Sequence, residues 1–264
     1  MAAAAALSAV LALPAAAQSA QSIAIPFAPP ADRPLVYKIE QHRPVEGVTR
    51  RFSATRDLRF ERAGDGYILQ ATLRDIDTDA STAGGESYRA ALEPMIGVTL
   101  RFRLNGEGRI VGIDDQDVAW SRVQAGVDTM LKQFAPDTPR RKAATKIQAL
   151  FASLAPEGRM ALLSGEIQPL LLFAGGVVEG GEGRGLRTVA GSPLGRPVPV
   201  EGTVRVVGQS TEALDMEEKL AGEGVQVSIA YHLSRTSGLV EAQRSNLAVR
   251  GQALTEIRTL TPAP

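Results

Sequence analysis

The densest run of metal-capable side chains is Asp75-Ile76-Asp77-Thr78-Asp79, with Glu86 in the twelfth place counted from Asp75. Oxygen donors at places 1, 3, 5 and 12 are the pattern of a calcium loop, in which a hard cation draws its ligands from one tightly turned segment. Two features depart from it. Ala80 stands at place six, where the sharp turn calls for glycine, and the segment before the loop alternates like a strand instead of a helix. An acidic connection at a strand end has the same letters without a metal, and neither a metal nor another cofactor is expected.

Nucleophilic and acid–base chemistry finds little to work with. The two histidines are His42, at a strand end before Pro44, and His232, on the opposite strand face from Tyr231. Both read as surface side chains. In Gly191-Ser192-Pro193-Leu194-Gly195 the serine comes one place too early for a G-x-S-x-G nucleophile elbow. Gly180-Gly181-Glu182-Gly183-Arg184-Gly185 lacks both the Lys-Ser/Thr of a P-loop and the spacing of a dinucleotide fingerprint. No catalytic residue stands out, so a binding protein is the leading expectation. A hydrolase without a local motif is the alternative.

Composition narrows the partners. Lysine plus arginine and aspartate plus glutamate number 29 each, which argues against a general nucleic-acid binder. Cysteine is absent, excluding disulfides, thiolate metal sites and a lipid-modified cysteine. The first 14 residues are almost all Ala, Leu and Val and lead into Ala15-Ala16-Ala17, an apolar stretch before a small-residue cleavage site. This predicts a secretory signal over residues 1–20, cut after Ala17 or Ala20, although no Lys or Arg follows Met1. The run breaks at Pro14 and is too short to span a bilayer, so no transmembrane segment is expected. The periplasm is the expected destination.

The elements that would hold a binding site follow from periodicity. Leu35, Tyr37 and Ile39 alternate with polar residues, as do Phe52, Ala54, Leu58 and Phe60, with Arg56 intruding, and Tyr67, Leu69, Ala71 and Leu73. Gly64-Asp65-Gly66 and Asn105-Gly106 mark hairpin turns. From Trp120 the period changes: Trp120, Val123, Val127, Met130 and Phe134 lie on one helical face, and Thr138-Pro139 opens a second helix carrying Ile147 and Phe151. After a glycine-rich stretch, Val225, Val227, Ile229, Tyr231 and Leu233 make the cleanest period-two run in the chain. Phe102-x-Leu104 with its following turn also echoes Tyr231-x-Leu233.

The expectation is one α+β domain over residues 21–264. Two blocks of antiparallel strands, 33–113 and 198–262, form a curved sheet or half-barrel. A helical segment, 114–173, packs on one face, and 174–197 is a Gly/Pro-rich loop. This layout of long hairpins, including one turning at Thr236-Ser237-Gly238-Leu239, resembles exported Gram-negative half-barrel proteins of the periplasmic lipoprotein-carrier kind. The resemblance is architectural and implies an apolar concavity for acyl chains. It assigns no residues, and it departs from those carriers in beginning with strands instead of a helix. By that reading Val123, Val127, Ile147 and Phe151 would form one wall of a ligand space and Val227, Ile229 and Tyr231 part of the other, with a lipid or an envelope protein as partner.

Overall fold

The computed structural model describes residues 22–80, 82–190, 198–249 and 251–264. The expected signal over residues 1–20 and the Gly191–Gly195 stretch lie outside the described residues. In chain order the strands are β1 (Ser22–Ala24), β2 (Pro34–Val45), β3 (Val48–Ala63), β4 (Gly66–Thr78), β5 (Thr99–Leu104), β6 (Ile110–Asp114), β7 (Val177–Glu179), β8 (Arg184–Ala190), β9 (Val198–Gln209), β10 (Ala213–Gly222), β11 (Val225–Ser234), β12 (Val240–Val249) and β13 (Gln252–Pro262). The helices are α1 (Thr82–Leu92), α2 (Gln116–Lys132), α3 (Pro139–Ser153) and α4 (Pro156–Ser164). Among the described residues none is long and apolar enough to cross a membrane.

Eleven strands form one antiparallel sheet in the order β6-β5-β4-β3-β2-β13-β12-β11-β10-β9-β8. The chain lays a first meander outward from β2 to β6 and makes its helices. It restarts at the far edge with β8, and a second meander runs inward until β13 pairs with β2 from Thr255↔His42 to Pro262↔Leu35. The two strand blocks are therefore one sheet, joined at its middle by the last strand. β6 and β8 are not paired with each other, so the sheet is open. β1 and β7 form a separate two-stranded pair.

Cross-strand partners point to the same face, which defines an inner face through Tyr37↔Arg56, Leu35↔Leu58 and Leu69↔Phe60. On the first meander this face is apolar and meets the helical layer. Leu58, Phe60, Leu69, Leu73 and Phe102 share one core with Trp120 of α2, Leu163 of α4, and Ile167 and Leu170 of the segment that follows. Thr138 caps α3 by accepting a hydrogen bond from the Arg141 amide at 3.2 Å. Phe151 of that helix packs on Trp120, with ring centroids 5.4 Å apart.

Three elements, α1, β7 and β8, differ from the sequence expectation. α1 occupies part of what reads as an acidic loop. Its Gly84-Gly85 and weak apolar stripe hide it from periodicity, and it is stabilised by packing on α2, where Gly126 leaves room for the Ala91 carbonyl. β7 and β8 lie within the expected 174–197 loop. β8 pairs on one side only, from Arg184↔Val204 to Ala190↔Val198, and most of its side chains are exposed, so it carries no alternating apolar signal.

The echo between Phe102-x-Leu104 and Tyr231-x-Leu233 has a structural counterpart, because each hairpin has a bulge just before the leucine. Each following turn holds a glycine at positive φ, Gly108 at 82° and Gly238 at 76°. A Cβ at Gly238 would collide with the Pro26 carbonyl oxygen, and one at Gly108 would stand 2.9 Å from the Phe27 ring. The two turns thereby hold residues 25–28 across one end of the sheet. Ile25 enters the core of the second meander there, and Phe27 packs on that of the first.

Candidate functional site

The inner face changes character on crossing from β2 to β13. One row of cross-strand partners runs Met216, Tyr231, Gln243, Arg258, Ile39, and the next runs Glu218, Ile229, Ser245, Glu256, Gln41, Phe52. With Tyr37 and Arg56 alongside, these place a polar belt across the middle of the sheet. Buried polar groups need partners, and most of these have them. Arg258 donates to Glu256 at 2.6 Å, to the Glu166 carbonyl at 2.7 Å and to the Tyr37 hydroxyl at 3.2 Å. Gln41 donates to Glu256 at 2.7 Å. Arg56, only 6% exposed, is ion-paired with Glu166, its Nε donating at 2.8 Å. Three adjacent strands thus converge on the residue that links α4 to the following turn.

The belt perturbs its ionisable members. Burial pushes the Tyr37 hydroxyl above its ordinary pKa, against the opposing effect of Arg258. Burial alone would lower Arg258, but Tyr37 and Glu256 outweigh it and raise its pKa. Burial also drives Tyr231 well above the tyrosine range, and the Glu218 carboxylate adds to the effect, accepting the Tyr231 hydroxyl hydrogen bond at 2.9 Å. Two belt atoms lack a partner among the described residues: Arg56 Nη1 and Gln243 Oε1.

Next to the belt, a groove of about 690 Å³ opens between the sheet's two edges. Arg109 and Ile110 bound it on the β6 side, Arg184 and Leu186 on the β8 side, and Leu171, Leu172, Phe173 and Val178 line it between them. Val204 and Glu218 of the inner face also line it. Phe173 meets Tyr231 edge to face at 5.2 Å, fixing that side of the groove to β11. Leu172 and Val177 are 53% and 64% exposed, apolar surface turned to water at the groove.

The residues expected to wall a ligand space are divided among several cores. Val123 and Phe151 pack against the core of the first meander. Val127 lies between α2 and α3 with Leu131 and Ala144, where Phe151 also reaches. Ile147 is half-buried on α3 and belongs to none of these clusters. Tyr231 and Ile229 belong to one core of the second meander and Val227 to another. Of the seven, Tyr231 packs edge to face on Phe173 and Ile229 is the cross-strand partner of Glu218, both of which line the groove. The groove itself was not legible in the sequence, since it is built from two edges about 75 residues apart whose neighbourhood depends on sheet order. Arg56 did leave a trace, as the one charge interrupting an apolar alternation.

Asp75 and Asp77 lie on extended β4, where they follow the strand and do not turn around an ion. Asp77 is ion-paired with Arg51 at 2.6 Å, and Asp79 accepts the Arg51 amide at 2.7 Å. Glu86 is on α1. Among the described residues no three His, Asp or Glu side chains converge on one point. His42 contacts Glu40 and His232 contacts Asp215, each at 2.8 Å. Comparison with protein-family models, with curated proteins and with solved structures yields no match, so no relative lends this chain an activity.

Proposed function

We propose that this is a non-catalytic binding protein, exported to the bacterial periplasm, that holds an apolar or lipid ligand in the groove between its sheet edges. The open sheet is then a half-barrel with helices filling one half and a ligand occupying part of the other. The observation that carries the reading is the groove: about 690 Å³, lined by Ile110, Leu171, Phe173, Val178, Leu186 and Val204, with Arg109 and Arg184 at its sides. That volume is within the usual range of ligand sites. Burying a methylene contributes about 0.8 kcal/mol, so about a dozen of them supply roughly 10 kcal/mol before the cost of immobilising the chain. With at least about 4 kcal/mol lost to that cost, about 6 kcal/mol or less remains, which is an affinity in the tens of micromolar or weaker for a medium-length acyl chain.

Native mass spectrometry of protein taken from the periplasm should show lipid adducts, and a fluorescent fatty acid should bind at tens of micromolar or above. Leu172→Asp and Val177→Asp alter exposed positions, so the fold survives while affinity drops about tenfold or more. A bare polypeptide together with no uptake of the fatty acid overturns the reading and leaves an envelope protein as the partner to seek.

A further inference from the structure

Independently of the groove, we infer that Arg43 and Tyr88 form a binding site for an oxyanion, a carboxylate or a phosphate. Four arginines lie on the inner face near β2: Arg56, Arg258, Arg43 and its cross-strand partner Arg50, which donates to the Asp79 carbonyl at 3.5 Å. Arg56 has Glu166 and Arg258 has Glu256, whereas Arg43 has no ion pair and no hydrogen bond among the described residues. Its guanidinium stacks over the Phe52 ring at 4.2 Å and is half-buried, and its Nε is wholly buried without a partner. A cation taken out of water without a counter-charge is costly, and an aromatic face offsets only part of that cost.

The second donor is Tyr88 of α1, whose ring meets Phe52 edge to face at 5.2 Å. Its hydroxyl makes no hydrogen bond among the described residues. Burial, with the Glu166 carboxylate adding to it, pushes the Tyr88 pKa up to about 12, so the phenol stays a protonated donor at neutral pH. Neighbouring carboxylates do not neutralise Arg43, because Glu166 is committed to Arg56 and Asp77 to Arg51. A strand and a helix therefore present a guanidinium and a phenol to the same region, both unpaired and both positioned by Phe52. Two oxygens of one oxyanion match the guanidinium edge, and a phenol supplies a further donor. Free phosphate and the head of a larger carboxylate share this chemistry.

Isothermal titration of the intact chain with inorganic phosphate, acetate and dodecanoate tests the site, using Arg43→Met, Arg43→Lys and Tyr88→Phe. At least one anion should bind saturably, at least tenfold more weakly in Arg43→Met and a few-fold more weakly in Tyr88→Phe. Phosphate alone binding identifies a free oxyanion. Dodecanoate binding much more tightly than acetate, with the same loss in Arg43→Met, identifies an amphiphile head. Leu172→Asp in the groove should leave phosphate or acetate binding unchanged, which separates this site from the groove. If Arg43→Met fails to fold, Arg43→Lys and Tyr88→Phe decide. No anion binding to the wild type, or binding unchanged in folded Arg43 and Tyr88 variants, overturns the inference.

Discussion

The two meanders of this sheet are built from similar hairpins, yet they dispose of their inner faces differently. Between β2 and β6, with Gln41, Arg43 and Arg56 as exceptions, the inner side chains are mainly apolar, and most of these belong to one continuous core with the helices, the core that includes Phe60, Leu69 and Phe102. Between β8 and β13 the apolar residues fall into two separate clusters. One lies beneath the β1–β7 pair, with Leu214, Met216 and Leu233; the other lies toward the opposite end, with Val200, Leu220 and Val225. The polar belt crosses between them. The first half is finished by its own following segment, since the helices come directly after β6 and fold back on it. The second half receives only short segments, and a groove remains at its edge. Incomplete filling and a buried polar band together set the second half apart from the first.

The largest effect expected from that difference is in stability. Phe60→Ala, at a fully buried position of the first meander, should cost about 3–5 kcal/mol. Ile229→Ala, on the half-buried inner face of the second, should cost about 1 kcal/mol, because solvent and neighbouring side chains take up the space. Denaturant midpoints measured at constant slope read both. Equal losses would erase the distinction between a filled and an unfilled half.

A moderate effect is expected in alkali. Tyr88 has its pKa raised to about 12, and the same holds in direction for Tyr37 and Tyr231. Between the ordinary tyrosine value and the raised one the unfolded chain has lost the proton that the folded chain keeps. Stability is therefore fully present below about pH 10 and falls as pH rises. Tyr88→Phe should flatten the fall between about pH 10 and 12, whereas Tyr231→Phe should remove one that continues beyond that window. Melting temperature against pH, with tyrosinate absorbance as the second probe, sharpens the contrast between helix-bound and belt-bound phenols. A fall of unchanged size in both variants would refute it.

The smallest effect belongs to the outer surface of the first meander. Saturating calcium should leave the melting temperature unchanged, because Asp77 and Asp79 are held by Arg51 and β4 is extended there. A saturable rise, lost in Asp75→Ala and Asp77→Ala, would show that the segment rearranges around an ion.

Legibility followed the range of the interactions. The run from Val225 to Leu233 became β11, and the alternations at Leu35, Phe52 and Tyr67 became β2, β3 and β4, because side-chain period two is a property of consecutive residues. Thr138-Pro139 opened α3 for the same local reason. α1 escaped notice because its glycines are explained by what they touch at Val45 of β2 and Thr78 of β4, and β8 because an edge strand with exposed side chains has no alternation to read. Of the polar belt only Arg56 showed in the sequence; Gln243, Glu256 and Arg258 lie far from it in the chain and meet it because β13 pairs with β2.

What the sequence determined by itself is therefore the inventory: a β-rich chain in two strand blocks around a helical middle, without cysteine, with charge in balance and with two histidines. Tertiary structure decided the rest. It chose β13 as the strand that joins the halves, aligned the polar residues of six strands into one band, and brought residues of β6 and β8 to either side of one groove. It also left Arg43 without, among the described residues, the acidic partner that Arg56 and Arg258 each obtained. The physical reason is that periodicity reports which face of its own strand a residue takes. The neighbour across that face is set by strand order, which depends on long-range pairing free energies that no local window contains.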